Sequence, residues 1–406
     1  MKNILLLTPI YPALDLPPQN TPVVHYFTKE WIKMGYNVTV IHYIVSFPSI
    51  IRKLAKPFHN FLESKLSSII NLKQVKTIEY NLDGVNVKRI PLCKYIPHTK
   101  YKEKEISKAI FSTLEYCSKT NFEPDVIISH WINPQLEIMH QLKKHFNVPT
   151  CYIAHDTGRD LKTIFKDKAN VFLNNIDIIG YRSKYIKLQF ESYFHCQDKP
   201  SFLCYSGIPE KYIDTHTYNK RNYDKTSNII FVGSLIARKH PSKIIPAVIY
   251  SYNKDFSITY IGEGNEKKTI QKLASKFKIE KQVNLLGRKK REDIIKQLEN
   301  SDIFIMISKY ETFGLVYLEA MAAGCITIAS KKEGFDGIIK DGYNGFLCNA
   351  GDELELTQIL KHINNLSTEK RSEISQNAIE TAKSLTDYNV ARNYIKFIEN
   401  TIQKII

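Results

Sequence analysis

The chain has no Cys-x-x-Cys pair, no Asp-x-Asp pair and no run of about eighteen uncharged apolar residues. The first absence argues against a zinc ribbon or a disulfide framework; seven scattered cysteines suit a reducing compartment, so a cytoplasmic protein is expected. The third argues against a membrane-spanning helix. Internal repeats and low-complexity tracts are also missing, which excludes a solenoid or a long disordered tail. Acidic residues are few beside basic ones, 41 against 57, for a net charge of +16. That balance favours anionic partners: nucleic acid, a phosphorylated small molecule or an anionic membrane surface.

What is present is a folded chain of 406 residues, 43% hydrophobic and 24% charged, long enough to predict two domains. Short β-branched runs alternate with amphipathic helical segments. Strand candidates are "NILLLT" from Asn3, "NVTVIHY" from Asn37, "DVIIS" from Asp125, "PTCYIA" from Pro149 and "DIIGY" from Asp177. The second half adds "NIIFVG" from Asn228, "FSITYIG" from Phe256, "QVNLLG" from Gln282, "DIFIMIS" from Asp302 and "CITIAS" from Cys325. Most are continuous apolar runs, as expected of parallel strands buried on both faces. The opening "MKNILLLTPIYP" reads as the first buried strand rather than a signal peptide, because Pro9 and Pro12 break it early. The expected fold class is α/β: two Rossmann-like, doubly wound domains with a cleft between them. Residues 1–206 form the first, 207–227 a polar linker, 228–385 the second, and 386–406 a terminal helix that crosses back to the first.

Two glutamates, Glu311 and Glu319, stand out in "SKYETFGLVYLEAMAAGCITIAS". A strand should end near Ser308 and a helix run over about 315–323, with Gly324 as its C-cap. In a doubly wound sheet this loop opens onto the ligand edge. The first-turn amides of Gly314, Leu315 and Val316 would then be ready for an anion such as a diphosphate. Two carboxylates beside that anion make sense if they accept hydrogen bonds from hydroxyls. A hydroxyl-rich, phosphorylated ligand describes a nucleotide sugar. The bland alternative makes Glu311 a loop solubiliser and Glu319 a surface residue. "IGEGNEKK", with Gly264, is a Gly-rich strand-to-helix turn near the same edge, and "FVGSLIARKH" delivers Arg238 and Lys239, cations able to neutralise a diphosphate.

From about residue 228 to 348 the run "FVGSLIARKH … YIGEGNEKKTIQKLA … VNLLGRKKREDIIKQLENSDIFIMISKYETFGLVYLEAMAAGCITIAS … IIKDGYNGFLC" resembles the donor domain of the retaining, GT-B-fold glycosyltransferases of family 4. The first half is similar at "HWINPQ", "VPTCYIAHDTGRD" and "YSGIPE". The resemblance implies that Glu311 lies against the donor sugar and Glu319 holds the ribose hydroxyls. It gives the sugar and diphosphate to backbone donors from Phe313 to Val316, phosphate to Lys239 and the nucleobase to Arg288. His155 would be the histidine that the first domain brings to the reacting sugar. Arg238 would stand in for the arginine that the family often has where this chain has Ser234, and the stretch at 17–24 lacks the family's glycine-rich loop.

The resemblance further implies a metal-independent, retaining hexosyltransferase that needs no cofactor and uses a nucleotide sugar, UDP-linked on family grounds, as co-substrate. Attack is expected on the front face, with the leaving phosphate taking the acceptor proton and the two domains closing. The segment 49–70 places Ile51, Leu54, Phe58, Phe61, Leu62, Leu66 and Ile69 on one helical stripe beside Arg52, Lys53, Lys56 and Lys65, with Pro57 as a kink. It either docks on an anionic bilayer, pointing to a lipid-linked glycan acceptor in surface polysaccharide assembly at the inner membrane face, or packs on the first domain. Rival readings are a nucleotide-sugar 2-epimerase of the same fold and a basic nucleic-acid-binding protein; lysines spread over many helices speak against the latter, and no nucleic-acid partner is expected.

Overall fold

Strand pairing separates the chain into two units, as continuous apolar runs on parallel ladders require helical cover on both faces. The computed structural model describes the chain apart from residues 14, 17–20, 59–71, 97–98, 214–222, 253–254 and 406. One unit comprises Met1–Arg182, Ile186–Cys204 and Val390–Ile406; the other comprises Ser183–Tyr185 and Tyr205–Asn389. Part of the linker expected at 207–227, and half of the glycine-free stretch expected at 17–24, lie outside the described residues.

In the first unit the strands are β1 (Asn3–Thr8), β2 (Asn37–Ser46), β3 (Ile78–Leu82), β4 (Val85–Cys93), β5 (Val126–His130), β6 (Thr150–Ala154), β7 (Ile178–Tyr181) and β8 (Ser201–Leu203). Their order is β3-β4-β2-β1-β5-β6-β7-β8. Among the described strands only β3 runs antiparallel to its neighbour. Ile4, Leu5, Leu6 and Leu7 of β1 are fully buried at the centre, each contributing about 1.5–3 kcal/mol of apolar burial. The terminal helix Asp387–Ile405 is capped where Thr386 Oγ1 accepts the Asn389 N–H at 3.3 Å. From Val390 on it belongs to this unit: Trp31 Nε1 donates to the Ala391 carbonyl at 2.9 Å, and Tyr394 packs edge-on against Phe27 and Trp31.

The second unit holds β9 (Asn228–Val232), β10 (Ser257–Ile261), β11 (Val283–Leu285), β12 (Ile303–Ile305), β13 (Ile326–Ser330) and β14 (Phe346–Cys348), in the order β11-β10-β9-β12-β13-β14. Every pairing is parallel. The order reverses at β9, which has β10 on one side and β12 on the other. Loops leaving β9 and β12 therefore diverge and open a crevice at the carboxyl edge. The first sheet reverses in the same way at β1, between β2 and β5.

The segment from residue 49 departs from a kinked helix. The α-helix Ser49–Ala55 ends before Pro57, and Lys56–Phe58 tighten into a 3₁₀ turn, since proline brings no N–H to continue the ladder. Neither piece buries a residue; Ile50, Leu54 and Phe58 are exposed and Ile51 is half-buried. The remainder of the expected stripe, Phe61 to Ile69, lies outside the described residues. Among those described, no helix is long and apolar enough to cross a membrane.

Candidate functional site

The loop after β12 is built to hold one carboxylate. Buried Glu333 accepts the backbone N–H of Glu311 at 2.7 Å, and Gly334 N donates to the Glu311 carbonyl at 2.8 Å. Burial pushes the Glu333 carboxyl above its ordinary range, against the pull of the Tyr310 and Glu311 amides. Lys309 N donates to the Arg238 carbonyl at 2.7 Å and ties this loop to the one after β9. Those two loops flank the point where strand order reverses.

Three expected residues meet there. Glu311 Oε2 accepts from Lys239 Nζ at 3.0 Å and from Ser308 Oγ at 3.3 Å, with Arg238 Nη1 at 3.8 Å. The Glu311 and Lys239 side chains are each 13% exposed, against 43% for Arg238. Ser308 is held in turn by Tyr317, whose hydroxyl donates to the Met306 carbonyl at 2.6 Å and lies 3.2 Å from Ser308 Oγ. Glu311 is therefore not a loop solubiliser. It is a nearly enclosed anion facing two cations.

Directly beyond it, Gly314 starts the helix Leu315–Ala322 at φ 83°, and no side chain caps it. A Cβ at Gly314 would come 2.5 Å from Tyr317 Cε2, so only glycine lets the loop enter the helix here. Phe313 is buried against Tyr205 and Phe335 and anchors the entry. Gly314, Leu315 and Val316 are partly exposed, and the positive end of the helix adds its field to that of Lys239 and Arg238. The loop thus sets one carboxylate between two cations beside an uncapped helix start.

Glu319 lies one turn on, in a helix otherwise apolar all round, and is 6% exposed. The surface reading fails for it. A carboxylate so buried needs a donor, and Arg291 Nε supplies one at 2.6 Å while its guanidinium stacks 5.1 Å over the Tyr212 ring. Gly264 lets two loops touch: a Cβ there would come 2.2 Å from the Leu235 carbonyl oxygen, so the β10 loop lies flat on the β9 loop. Arg288 stands exposed just past β11, and no described contact joins it to Glu311 or Glu319.

In the first unit His155 follows β6, at the carboxyl edge of its sheet. Its Nε2 is 2.9 Å from His130 Nδ1, and its ring stacks on Trp131 at 3.9 Å. Burial, with smaller contributions from His130 and Arg182, keeps His155 well below the ordinary histidine range, so the ring is neutral at pH 7. Among the described residues no group of three His, Cys, Asp or Glu side chains is arranged to hold a metal ion.

The profile of the family "Glycosyl transferases group 1" matches residues 214–381, which covers most of the second unit. An uncharacterized glycosyltransferase of Methanocaldococcus jannaschii is 29% identical over 268 residues, 64% of this chain and 71% of that protein. Residues 214–381 are therefore a group 1 glycosyl transferase domain. The chain's match to the alpha-monoglucosyldiacylglycerol synthase of Acholeplasma laidlawii, 31% identical over 186 residues, spans 43% of this chain and 46% of that protein. The two-sheet architecture is that of GT-B glycosyltransferases: the structure of Anabaena HepE in complex with UDP superposes with a TM-score of 0.68 over 98% of this chain and all of that one, at 15% identity.

Sequence reasoning about this glycosyltransferase missed the residues that hold the two acids. Arg291 sits in "RKKRED", which reads as a solvated charge run, and its pairing with Glu319 depends on two helices meeting. Glu333 is 22 residues from the amide it binds. Only Ser308, three residues before Glu311, was close enough for local spacing to suggest it.

Proposed function

We propose that this glycosyltransferase moves a hexose-type sugar from a UDP-linked donor to a lipid-linked glycan acceptor, with retained anomeric configuration and without a metal. The observation that carries the reading is Glu311 enclosed between Lys239 and Arg238, beside an uncapped helix start at the sheet's switch point. Lys239, Arg238 and the amides of Gly314, Leu315 and Val316 receive the diphosphate and stabilise the charge that grows on it as it leaves. Glu311 then turns to the sugar hydroxyls, Glu319 to the ribose, and Arg288 and the Gly264 turn to the nucleoside end. On the acceptor side neutral His155 offers a hydrogen bond to the reacting sugar. The bond from the anomeric carbon to the leaving phosphate oxygen breaks as the bond to the acceptor oxygen forms on the same face. The acceptor's proton passes to the departing phosphate.

The relative named for diacylglycerol glucosylation and the UDP complex of HepE support the lipid and nucleotide parts of this reading. Exposed Ile50, Leu54 and Phe58 beside Arg52, Lys53 and Lys56 support work at an anionic membrane face, as surface polysaccharide assembly requires. A panel of nucleotide sugars read by thermal shift, followed by turnover assays on the hits, tests the donor. UDP-hexoses should stabilise the protein, and Glu311→Ala should lower turnover at least about a hundredfold with the fold intact. An unimpaired Glu311→Ala rate, or release of a free 2-epimer with no acceptor present, refutes the proposal.

A further inference from the structure

At the carboxyl ends of β2 and β4, away from the residues already discussed, the first unit contains a cavity of about 380 Å³. The chain leaves β4 at Cys93, and Lys94 N donates to the Ser46 carbonyl at 3.0 Å, which fixes the start of the loop against the end of β2. The loop's far side is held by Asn133 Nδ2, which donates to the Thr99 carbonyl at 2.8 Å, and by Lys100 Nζ, 3.2 Å from Glu137 Oε1. Three lysines line the space: Lys94, Lys100 and Lys102.

Lys94 is the odd one. It is 8% exposed, and among the described residues no carboxylate lies within ion-pair distance of its ammonium group. Its Nζ sits 4.3 Å over the ring of buried Tyr101. Lys100 is neutralised by Glu137, whereas Lys102 lies 4.5 Å over the ring of exposed Tyr95. Glu105 is spent on the Cys93 N–H at 2.7 Å. Burial alone holds the Lys94 amine down to about 8, so at pH 7 it is still mostly charged. A buried cation costs several kcal/mol unless something compensates it. Tyr101 supplies only part of that. An anion entering the cavity would supply the rest.

Accordingly, we infer that the cavity lined by Lys94, Tyr95, Tyr101 and Lys102 is a phosphate-binding subsite on the acceptor side of this glycosyltransferase. The inference rests on the reading that the first unit receives the acceptor. The phosphate is either that of a soluble phosphorylated acceptor or that of a lipid headgroup; Tyr95 and Ile96, both exposed at the rim, offer apolar cover to whatever is attached. The cavity lies on the same sheet edge as His155, through the β5 loop that carries both Trp131 and Asn133.

The test uses the full chain with saturating UDP, so that the donor site cannot take the probe. Inorganic phosphate is titrated by calorimetry, and vesicles of phosphatidylglycerol or phosphatidylcholine are assayed by co-sedimentation. Lys94→Met should weaken phosphate binding at least about tenfold, Lys94→Arg should retain most of it, and Lys108→Met, an exposed neighbour, should leave it unchanged. If phosphate alone does not bind but phosphatidylglycerol vesicles do, with the same dependence on Lys94, the lipid headgroup is the source. Binding of both probes that is indifferent to Lys94→Met overturns the inference, as does absence of binding to either. Should Lys94→Met fail to fold, the wild-type ¹³Cε signal of the lysine titrating near 8 must move on adding phosphate, and a signal that stays put is equally fatal. Failure of UDP to bind counts against the donor reading alone, and the titrations are then run without it.

Discussion

Glu311 is the anion that Lys239 and Arg238 face in this structure, so removing its charge should have two opposite effects. Glu311→Gln keeps the side-chain volume and the Ser308 contact but deletes the carboxylate 3.0 Å from Lys239 Nζ. The gross attraction at that distance is about 5.5 kcal/mol at an effective dielectric near 20. Desolvation reduces the net value to about 1.5–3 kcal/mol, to which Arg238, 43% exposed and 3.8 Å away, adds little. A nucleotide diphosphate has to displace part of this internal pairing. If about 1 kcal/mol of it is relieved, UDP should bind roughly fivefold more tightly to Glu311→Gln than to wild type. Turnover should nevertheless fall at least about a hundredfold, because the sugar hydroxyls exchange an ionised acceptor for a weaker neutral one. Lys239→Met should instead weaken UDP by about tenfold or more. Calorimetric titration of UDP at two salt concentrations, alongside initial rates, separates these effects. Equal weakening of UDP by both variants would refute the reasoning, since the carboxylate would then be a nucleotide ligand and not an internal counter-ion.

Arg291→Ala should destabilise the protein by about 1–3 kcal/mol in urea unfolding, less than a fully buried pair would lose because the Arg291 side chain is 26% exposed; a change below about 0.5 kcal/mol would mean that Glu319 simply turns to solvent. Acidification should also destabilise the fold. His42, held down to about 4, and His130 and His155, held well below their ordinary value, are all depressed by burial. The unfolded chain takes up their protons below about pH 6.5 while the folded chain does not, so each removes up to about 1.4 kcal/mol of stability per pH unit. Asp156, raised by burial to about 6, works the other way below that pH and offsets one of the three. A melting temperature that is flat from pH 7 to 5 would show that these histidines open to water.

Runs such as "NILLLT" and "CITIAS" disclose the fold because strands buried on both faces need no polar alternation. Four strands do not follow that pattern. β4 carries Lys88 and Arg89, which read as surface residues, yet Arg89 is fully buried and pairs with Asp15 through both terminal nitrogens at 2.6 and 2.8 Å. Its partner β3 is announced only by Asp83-Gly84, whose positive φ values of 50° and 85° make the hairpin turn. β8 and β14 are three residues long, below the length at which a pattern can be told from chance.

The site divides along the same line. Glu311, Glu319 and the glycine that starts the helix between them lie within nine residues, so spacing along one loop and the first turns of one helix carries the information. Lys239 also follows from its place after a strand. The groups that give these residues their properties come from elsewhere in the chain: Arg291 on one acid, Glu333 on the loop amide, Asn133 on the loop around Lys94. None of these pairings has a sequence period, because each depends on which strand ends lie side by side. Strand order is thus the missing variable, and once β9 is known to sit between β10 and β12, the meeting of Lys239 with Glu311 becomes a geometric necessity. Lys94 obeys the same rule. A lysine after a strand reads as solvated until β4 is seen beside β2, where its ammonium group is buried over the Tyr101 ring with no carboxylate at ion-pair distance among the described residues.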